Sequence, residues 1–339
     1  MRQAFWKSFA VLSFCVALSV NCSAASPGKA DMENIQQHLE LTHTLAEGSW
    51  ADYQPEQKGN SLTWTFGHYE GINLSGAGYL DIAPSVDGET RLVVEGDANL
   101  ALKGTVSSQA LALNLTPSTN GKMTLYLPSQ TRYLMAEGFK RLSLHNQNQL
   151  TYLSVDHVAQ VNADASKWML EYLLMNHATS ANLQGIATPY LLAHITDSGS
   201  VNFQGSMGLR ELDVTDSGPV VFGWLSSPLL TLNTAGKSQV TLAGDATVVN
   251  AKVNNNASID LRYLDTHKLF VQTNDQAKAE VASTQTLNAL AAGESKINYY
   301  HQPKVLSRFF REKGTILYMG DVVPPCQLSA CLKTPVLPG

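Results

Sequence analysis

The chain has 339 residues, 44% of them hydrophobic but only 15% charged, and a formal net charge of −5. An average soluble domain is about 25% charged, so the polar surface here must be built largely from Ser, Thr, Asn and Gln. The acidic balance excludes the electrostatic footprint of a nucleic-acid binder and a polybasic membrane patch.

Residues 1–25 read as an export signal. Arg2 and Lys7 precede an apolar run over 8–20, and the small residues Ser23, Ala24 and Ala25 follow it. The run is too short for a permanent bilayer anchor, and no later stretch approaches twenty apolar residues, so no transmembrane span is expected after signal cleavage. Cys22 raises the alternative of a lipidated N-terminus, but Ser19-Val20-Asn21 lacks the Leu and the small final residue that such a site prefers.

Residues 26–67 read as an N-terminal cap or linker. A short helix is expected over 31–45, with Met32, Ile35 and Leu39 on one side, followed by Trp50, Tyr53, Trp64 and Phe66. Such a segment would cover the first open coil of a stacked fold. An aromatic sugar-stacking site is the functional alternative.

Residues 68–320 form the main domain. Short alternating runs such as Ile72-Asn73-Leu74, Tyr79-Leu80-Asp81-Ile82 and Met123-Thr124-Leu125-Tyr126-Leu127 are separated by Gly, Asp or Ser turns. The stretch over 166–176, with Trp168, Met169, Tyr172 and Leu173, reads as a looser coil, a short helix being the alternative. From 191 to 320 the pattern becomes regular. Seven copies return at a period of about 19 residues, with Val201, Val220, Val240, Ile259, Ala279, Ile297 and Ile316 in one column. Two places further on stand Phe203, Phe222, Leu242, Leu261, Val281, Tyr299 and Tyr318, which period-2 alternation puts on the same strand face.

A period near 19 is too short for a helical-hairpin repeat, and propeller blades need about twice that length. A leucine-rich repeat would need a fixed Asn where Asn202, Val221, Thr241 and Asp260 stand. The spacing therefore predicts an all-β fold, a right-handed parallel β-helix, single-stranded, with about 19 residues per coil and a short N-terminal cap. Residues 321–339 are a Pro-rich tail. In an oxidising compartment Cys326 and Cys331 are expected to form a disulfide that pins the tail over the last coil.

Asp197-Ser198-Gly199-Ser200-Val201-Asn202-Phe203 and Asp216-Ser217-Gly218-Pro219-Val220-Val221-Phe222 resemble a bacterial family, the putative autotransporter adhesin family with a head GIN domain. The run from Gly71-Ile72-Asn73-Leu74 through Val93-Val94-Glu95-Gly96-Asp97 resembles the family's opening, so the likeness spans about 66–320. It implies an exported β-helix of the cell envelope, in the periplasm or at the surface of a bacterium, with an adhesive role. It brings no catalytic residues. The later turns, Ala235-Gly236-Lys237 and Arg311-Glu312-Lys313, depart from the Asp-Ser-Gly pattern.

Two sets of residues are candidates for chemistry. Asp197, Asp216 and Asp275 stand four residues before their anchors, in a column completed by Gly236, Asn255, Gly293 and Glu312. Stacked carboxylates can hold a cation or share a proton, and with Arg210 or Lys237 nearby Asp197 and Asp216 would centre a polysaccharide lyase or hydrolase. Tight turns select the same residue types for backbone reasons alone. Trp224, Tyr263 and Tyr300 form the second set, with Trp224 and Tyr263 at equivalent places two coils apart. Facing outward they suit a glycan or an envelope-protein partner; packing inside the coil is the alternative. No metal-ligand cluster and no cofactor motif is evident among the nine histidines. A non-enzymatic adhesion or interaction module is thus expected, with the carbohydrate-active enzyme as the alternative.

Overall fold

The structure is a computed structural model that describes residues 53–321 apart from 97–99, 107–109, 118–121 and 146–149. The described residues contain no helix, and their strands join in one hydrogen-bonded sheet wound into a β-solenoid of about 9 coils with ~20 residues per coil. At about 4.8 Å per coil this is a rod on the order of 40 Å long.

The repeat column of the sequence is one inter-coil ladder. Val201 pairs with Val220, Val220 with Val240, Val240 with Ile259, Ile259 with Ala279, Ala279 with Ile297 and Ile297 with Ile316, all in parallel strands. The same column continues toward the N-terminus through Ala181, Val161, Leu142 and Leu80. All of these side chains are buried, in a single apolar core that runs the length of the rod. The companion column places Phe203 on Phe222, with ring centroids 4.1 Å apart and planes 12° from parallel. Stacking of like on like follows from the parallel register: each side chain meets its counterpart at the strand spacing, which suits flat rings and branched aliphatic groups.

The poorer register over 69–185 has a topological cause. Gly71–Gly76 lies between Ala110–Pro117 and Tyr133–Glu137, while Tyr79–Pro84 lies between Lys122–Leu127 and Arg141–His145. The chain therefore winds one coil, adds strands Ala110–Pro117 and Lys122–Leu127 on its outer side, and returns to continue on the inner side. Beyond that outer coil the pairing turns antiparallel. Thr90–Glu95 covers Lys122–Leu127, Ser61–Phe66 covers Thr90–Glu95, Glu56–Lys58 covers Ser61–Phe66, and Leu100–Val106 covers Ala110–Pro117. An antiparallel edge ends the parallel ladder and shields the first coil from further strand addition.

Trp64 and Phe66 are buried, and the Tyr53 ring lies 5.3 Å from that of Phe66. Trp64 and Phe66 belong to the core, and neither is open to stack a sugar. Trp50 and the helix expected over 31–45 fall outside the described residues, as do residues 1–25 and the tail with Cys326 and Cys331. The stretch around Trp168 contains no helix: Tyr172–Asn176 is a strand on Tyr152–Asp156, and the Trp168 side chain is 1% exposed. At the far end of the rod Phe309, Phe310, Leu317 and Tyr318 are exposed among the described residues.

Truncating one ring of the stacked pair removes contacts on both neighbouring coils. Phe222→Ala is expected to destabilise by about 3–5 kcal/mol, whereas Val221→Ala, on the outer face, should stay within about 0.5 kcal/mol. Denaturant midpoints of the two variants measure the difference.

Candidate functional site

The Asp column lies at the corner that enters each repeated strand, and its geometry shows why these residue types stand there. His157, His177, Asp197, Asp216, Asn255, Asp275 and Glu312 all have left-handed backbone, φ between 47° and 60°, and Gly138, Gly236 and Gly293 fill the remaining coils with positive φ. A left-handed residue lets the chain reverse into the next strand, and Gly, Asn, Asp and His are the residues that accept it at least cost.

The rest of the Asp-Ser-Gly motif is explained by the neighbouring coil. Ser217 Oγ accepts the Ser198 N–H at 3.2 Å and donates to the Thr215 carbonyl at 2.9 Å. Ser198 does the same for the Ala178 N–H and the Thr196 carbonyl, and Ser238 for the Ser217 N–H and the Ala235 carbonyl. A ladder of buried serines thus satisfies corner amides across consecutive coils. A Cβ at Gly199 would run into the Thr179 carbonyl, so the third motif position admits no side chain. The turn changes where Ser238 carries the hydroxyl one place later than Ser217 does. That is why Ala235-Gly236-Lys237 departs from the earlier sequence pattern.

The carboxylates of the column serve this corner. Asp216 Oδ1 accepts the Lys237 N–H at 3.2 Å, and Asp275 Oδ2 accepts the Asn255 N–H at 3.1 Å. Asp197 Oδ2 stands 3.8 Å from His177 Nε2. Arg210 lies over the Tyr190 ring at 5.2 Å. His177 and His194 go to different partners, His177 to a stack with His157 and His194 to Asp213 at 3.2 Å.

The aromatic set faces out. Trp224 is 61% and Tyr263 37% exposed. Leu225 pairs with Gly244, Gly244 with Leu264, and Ala243 with Tyr263, so Trp224, Ala243 and Tyr263 occupy successive coils at one corner. Two exposed rings stand about 9.6 Å apart along the rod, twice the strand spacing, with a small side chain between them. Trp224 has φ 61°. A bulky residue in the left-handed region is an outlier, at a cost of about 1–2 kcal/mol, and the register slips between Phe222 and Leu225 to admit it. Gly205 and Gly244 meet positive φ in the flanking coils without a side chain.

Tyr300 joins this surface through a residue that sequence reading missed. The Arg262 guanidinium lies 5.5 Å from the Tyr263 ring and 5.7 Å from the Tyr300 ring. Asp260 grips it with two hydrogen bonds, Nε to Oδ1 at 2.9 Å and Nη2 to Oδ2 at 2.7 Å. That ion pair holds Arg262 protonated and raises its pKa further. Tyr300 Oη donates to Glu280 Oε2 at 2.7 Å, Asn298 Nδ2 donates to Glu280 Oε1 at 2.8 Å, and the Glu280 bond pushes the Tyr300 pKa upward. Asp260, Glu280 and Asn298 are consecutive rungs of one outward column. The surface therefore presents three aromatic rings and acceptor oxygens beside a cation whose charge is already matched. Such a surface suits an uncharged, hydroxyl-rich ligand better than an anion.

A second outward surface was also missed. Phe270 and Phe309, 43% and 60% exposed, line a shallow groove of about 340 Å³ together with Asn250, Lys252, Gln272 and Leu290. Its signal was the alternation of Phe270 with the core residues Leu269 and Val271, which puts the ring on the outer face.

Replacing Trp224 by Asn keeps a residue that tolerates left-handed backbone and removes the indole. The Trp224→Asn protein is expected to be as stable as the parent or up to about 1 kcal/mol more stable, and thermal unfolding measures this. A fall of about 2 kcal/mol or more, well beyond the usual range for a surface substitution, would mean that the indole holds the fold together.

No curated protein sequence matches the chain significantly. Among solved structures, it is similar to a putative adhesin from Parabacteroides merdae, at 14% identity and TM-score 0.45 over 80% of this chain and 97% of that one. A putative adhesin from Parabacteroides distasonis matches at 17% identity and TM-score 0.44 over 79% and 99%. A putative lipid binding protein from the same species matches at 16% identity and TM-score 0.42 over 78% and 98%. Residues 206–303 match the family described as putative auto-transporter adhesin, head GIN domain, the family that the Ser-Gly turns resemble.

Proposed function

We propose that the chain is an exported, adhesin-like module of the bacterial envelope that binds neutral glycan through the corner formed by Trp224, Tyr263 and Tyr300. The observation that carries this reading is the exposed indole of Trp224 on left-handed backbone, one column with Tyr263. Strain of that kind persists where the surrounding structure enforces it, and it concentrates at ligand sites. Sugar rings present C–H faces to aromatics and hydroxyls to carboxylate and amide oxygens. Beside the rings, both Glu280 oxygens and Asp260 Oδ2 each already accept one bond, from Asn298, Tyr300 and Arg262, and keep a second lone pair for a hydroxyl. The signal-like residues 1–25 and the family match over 206–303 support export and adhesion. Asp197, Asp216 and Asp275 are assigned to the corners of the coil, and the tail cysteines Cys326 and Cys331 to a disulfide.

Affinity electrophoresis of the mature protein through gels containing neutral or acidic polysaccharides tests the reading. Retardation by a neutral glycan is expected, reduced at least tenfold in apparent affinity by Trp224→Ala and by Tyr263→Ala, and unchanged by Phe270→Ala. Loss with Phe270→Ala alone would move the site to the groove on the other face. Retardation by acidic polymers only would overturn the neutral-ligand assignment. New reducing or unsaturated ends that vanish in Asp216→Asn would overturn the module in favour of an enzyme.

A further inference from the structure

The corner column changes character in two consecutive coils. Elsewhere its left-handed position is held by Gly, Asp, Asn or Glu, but at 157 and 177 it is held by His. The parallel register sets these two imidazoles on top of each other, with centroids 4.2 Å apart and planes 18° from parallel. Asp156, the residue before the first of them, points Oδ1 at both rings, 2.9 Å from His157 Nδ1 and 2.9 Å from His177 Nδ1. Left-handed backbone does not require His, since Gly, Asn or Asp accepts it as well. Nor does the core, since both side chains are about half exposed.

We propose that Asp156, His157 and His177 form a surface site for a divalent first-row transition ion of the zinc type. Two imidazole nitrogens and a carboxylate oxygen, all within 4.8 Å of one another, make a three-ligand donor set. Bond lengths of about 2.0–2.2 Å in tetrahedral array need donor atoms about 3.3–3.5 Å apart. Both Nδ1 atoms now lie 2.9 Å from the same Asp156 oxygen, so ligation requires the two half-exposed rings to turn out of their stack. Imidazole selects Zn²⁺, Cu²⁺ or Ni²⁺ over Ca²⁺ or Mg²⁺, which prefer all-oxygen sets.

The far side of His177 fits the same assignment. Ligation through Nδ1 leaves the proton on Nε2, and the Asp197 carboxylate, 3.8 Å from that nitrogen and beyond hydrogen-bond reach, adds negative charge on that side. Glu137, one rung below Asp156 and exposed, adds negative charge to the same edge, and Asn176 occupies the rung above. With three protein ligands the remaining position is open to water or to a group on a partner.

No local motif signals this site, because its histidines stand a whole coil apart along the chain and become neighbours only through the winding. A second His–carboxylate group, His194 with Glu211 and Asp213, lies on the same outward strand face, two residues back along the strand and on later coils. Asp213 there accepts from Asn233 Nδ2 through Oδ1 at 2.7 Å and meets His194 Nδ1 through Oδ2 at 3.2 Å, and the cluster holds one histidine where the proposed site has two. It serves as an internal control.

Isothermal titration of the metal-stripped protein with Zn²⁺ tests the assignment, with Co²⁺ absorption as a second readout. His157→Asn and His177→Asn keep a residue suited to left-handed backbone. Each is expected to weaken Zn²⁺ binding at least tenfold while leaving the thermal midpoint of the metal-free protein unchanged, and His194→Gln is expected to bind like the parent. Absence of Zn²⁺ binding by the parent, or undiminished binding by both Asn variants, would overturn the site. Loss in His194→Gln alone would do the same and place the ion at the other cluster. A sulfur-to-cobalt charge-transfer band that survives in both Asn variants would assign the ion to cysteine instead.

Discussion

The parallel hydrogen-bond ladder between consecutive coils is the constraint from which the rest of this structure follows. It fixes neighbouring strands one spacing apart and in register, so each residue is repeated, in position if not in type, on the coils either side. Inward columns become continuous strips of Val, Ile, Leu and Phe. Outward columns become rows of whatever the surface requires, such as Asn182, Asn202, Val221, Thr241, Asp260, Glu280 and Asn298. Corners must reverse the chain within a few residues without leaving amides unpaired. Left-handed residues and the serine ladder meet that demand together, and the Asp-Ser-Gly motif is its trace in the sequence.

This division separates residues that make the coil from residues that the coil displays. Asp216 and Asp275 belong to the first kind, since their carboxylates bond backbone of adjoining corners. Trp224, Tyr263 and the His157–His177 pair belong to the second. Trp224 occupies left-handed backbone where a small residue would serve the fold better, and all of them turn large or reactive groups toward solvent. The Arg262–Asp260 pair lies between the two kinds. Its charges are mutually satisfied, yet its guanidinium links the faces of two tyrosines into one surface.

Much of the fold was legible because the repeat period survives from 191 to 320 with its apolar columns intact, and those columns are the observed pairing register. The N-terminal third was less legible for a definite reason. Ala110–Pro117 and Lys122–Leu127 stack on the outer side of Gly71–Gly76 and Tyr79–Pro84, so order in space and order in sequence part company there, and antiparallel strands interrupt the period. The aromatics of the candidate surface were visible as a column, but their direction was not. Parity from the anchor pointed Trp224 inward, and a register slip at the corner turns it out. Arg262, Phe270 and the stacked histidines carried no local motif, because each gains its significance from a residue on another coil.

The slip at Trp224 and the single spacer at Ala243 have an evolutionary corollary. Because a coil touches only the coil before and the coil after, duplicating or deleting one between Phe222 and Leu261 would leave the remainder of the rod intact. The distance between the two exposed rings would then change by one whole rung, never by a fraction of one. A scaffold of this kind adjusts its reach in fixed increments of about 4.8 Å, so related chains differing by one coil would present the same side chains to ligands of different repeat length.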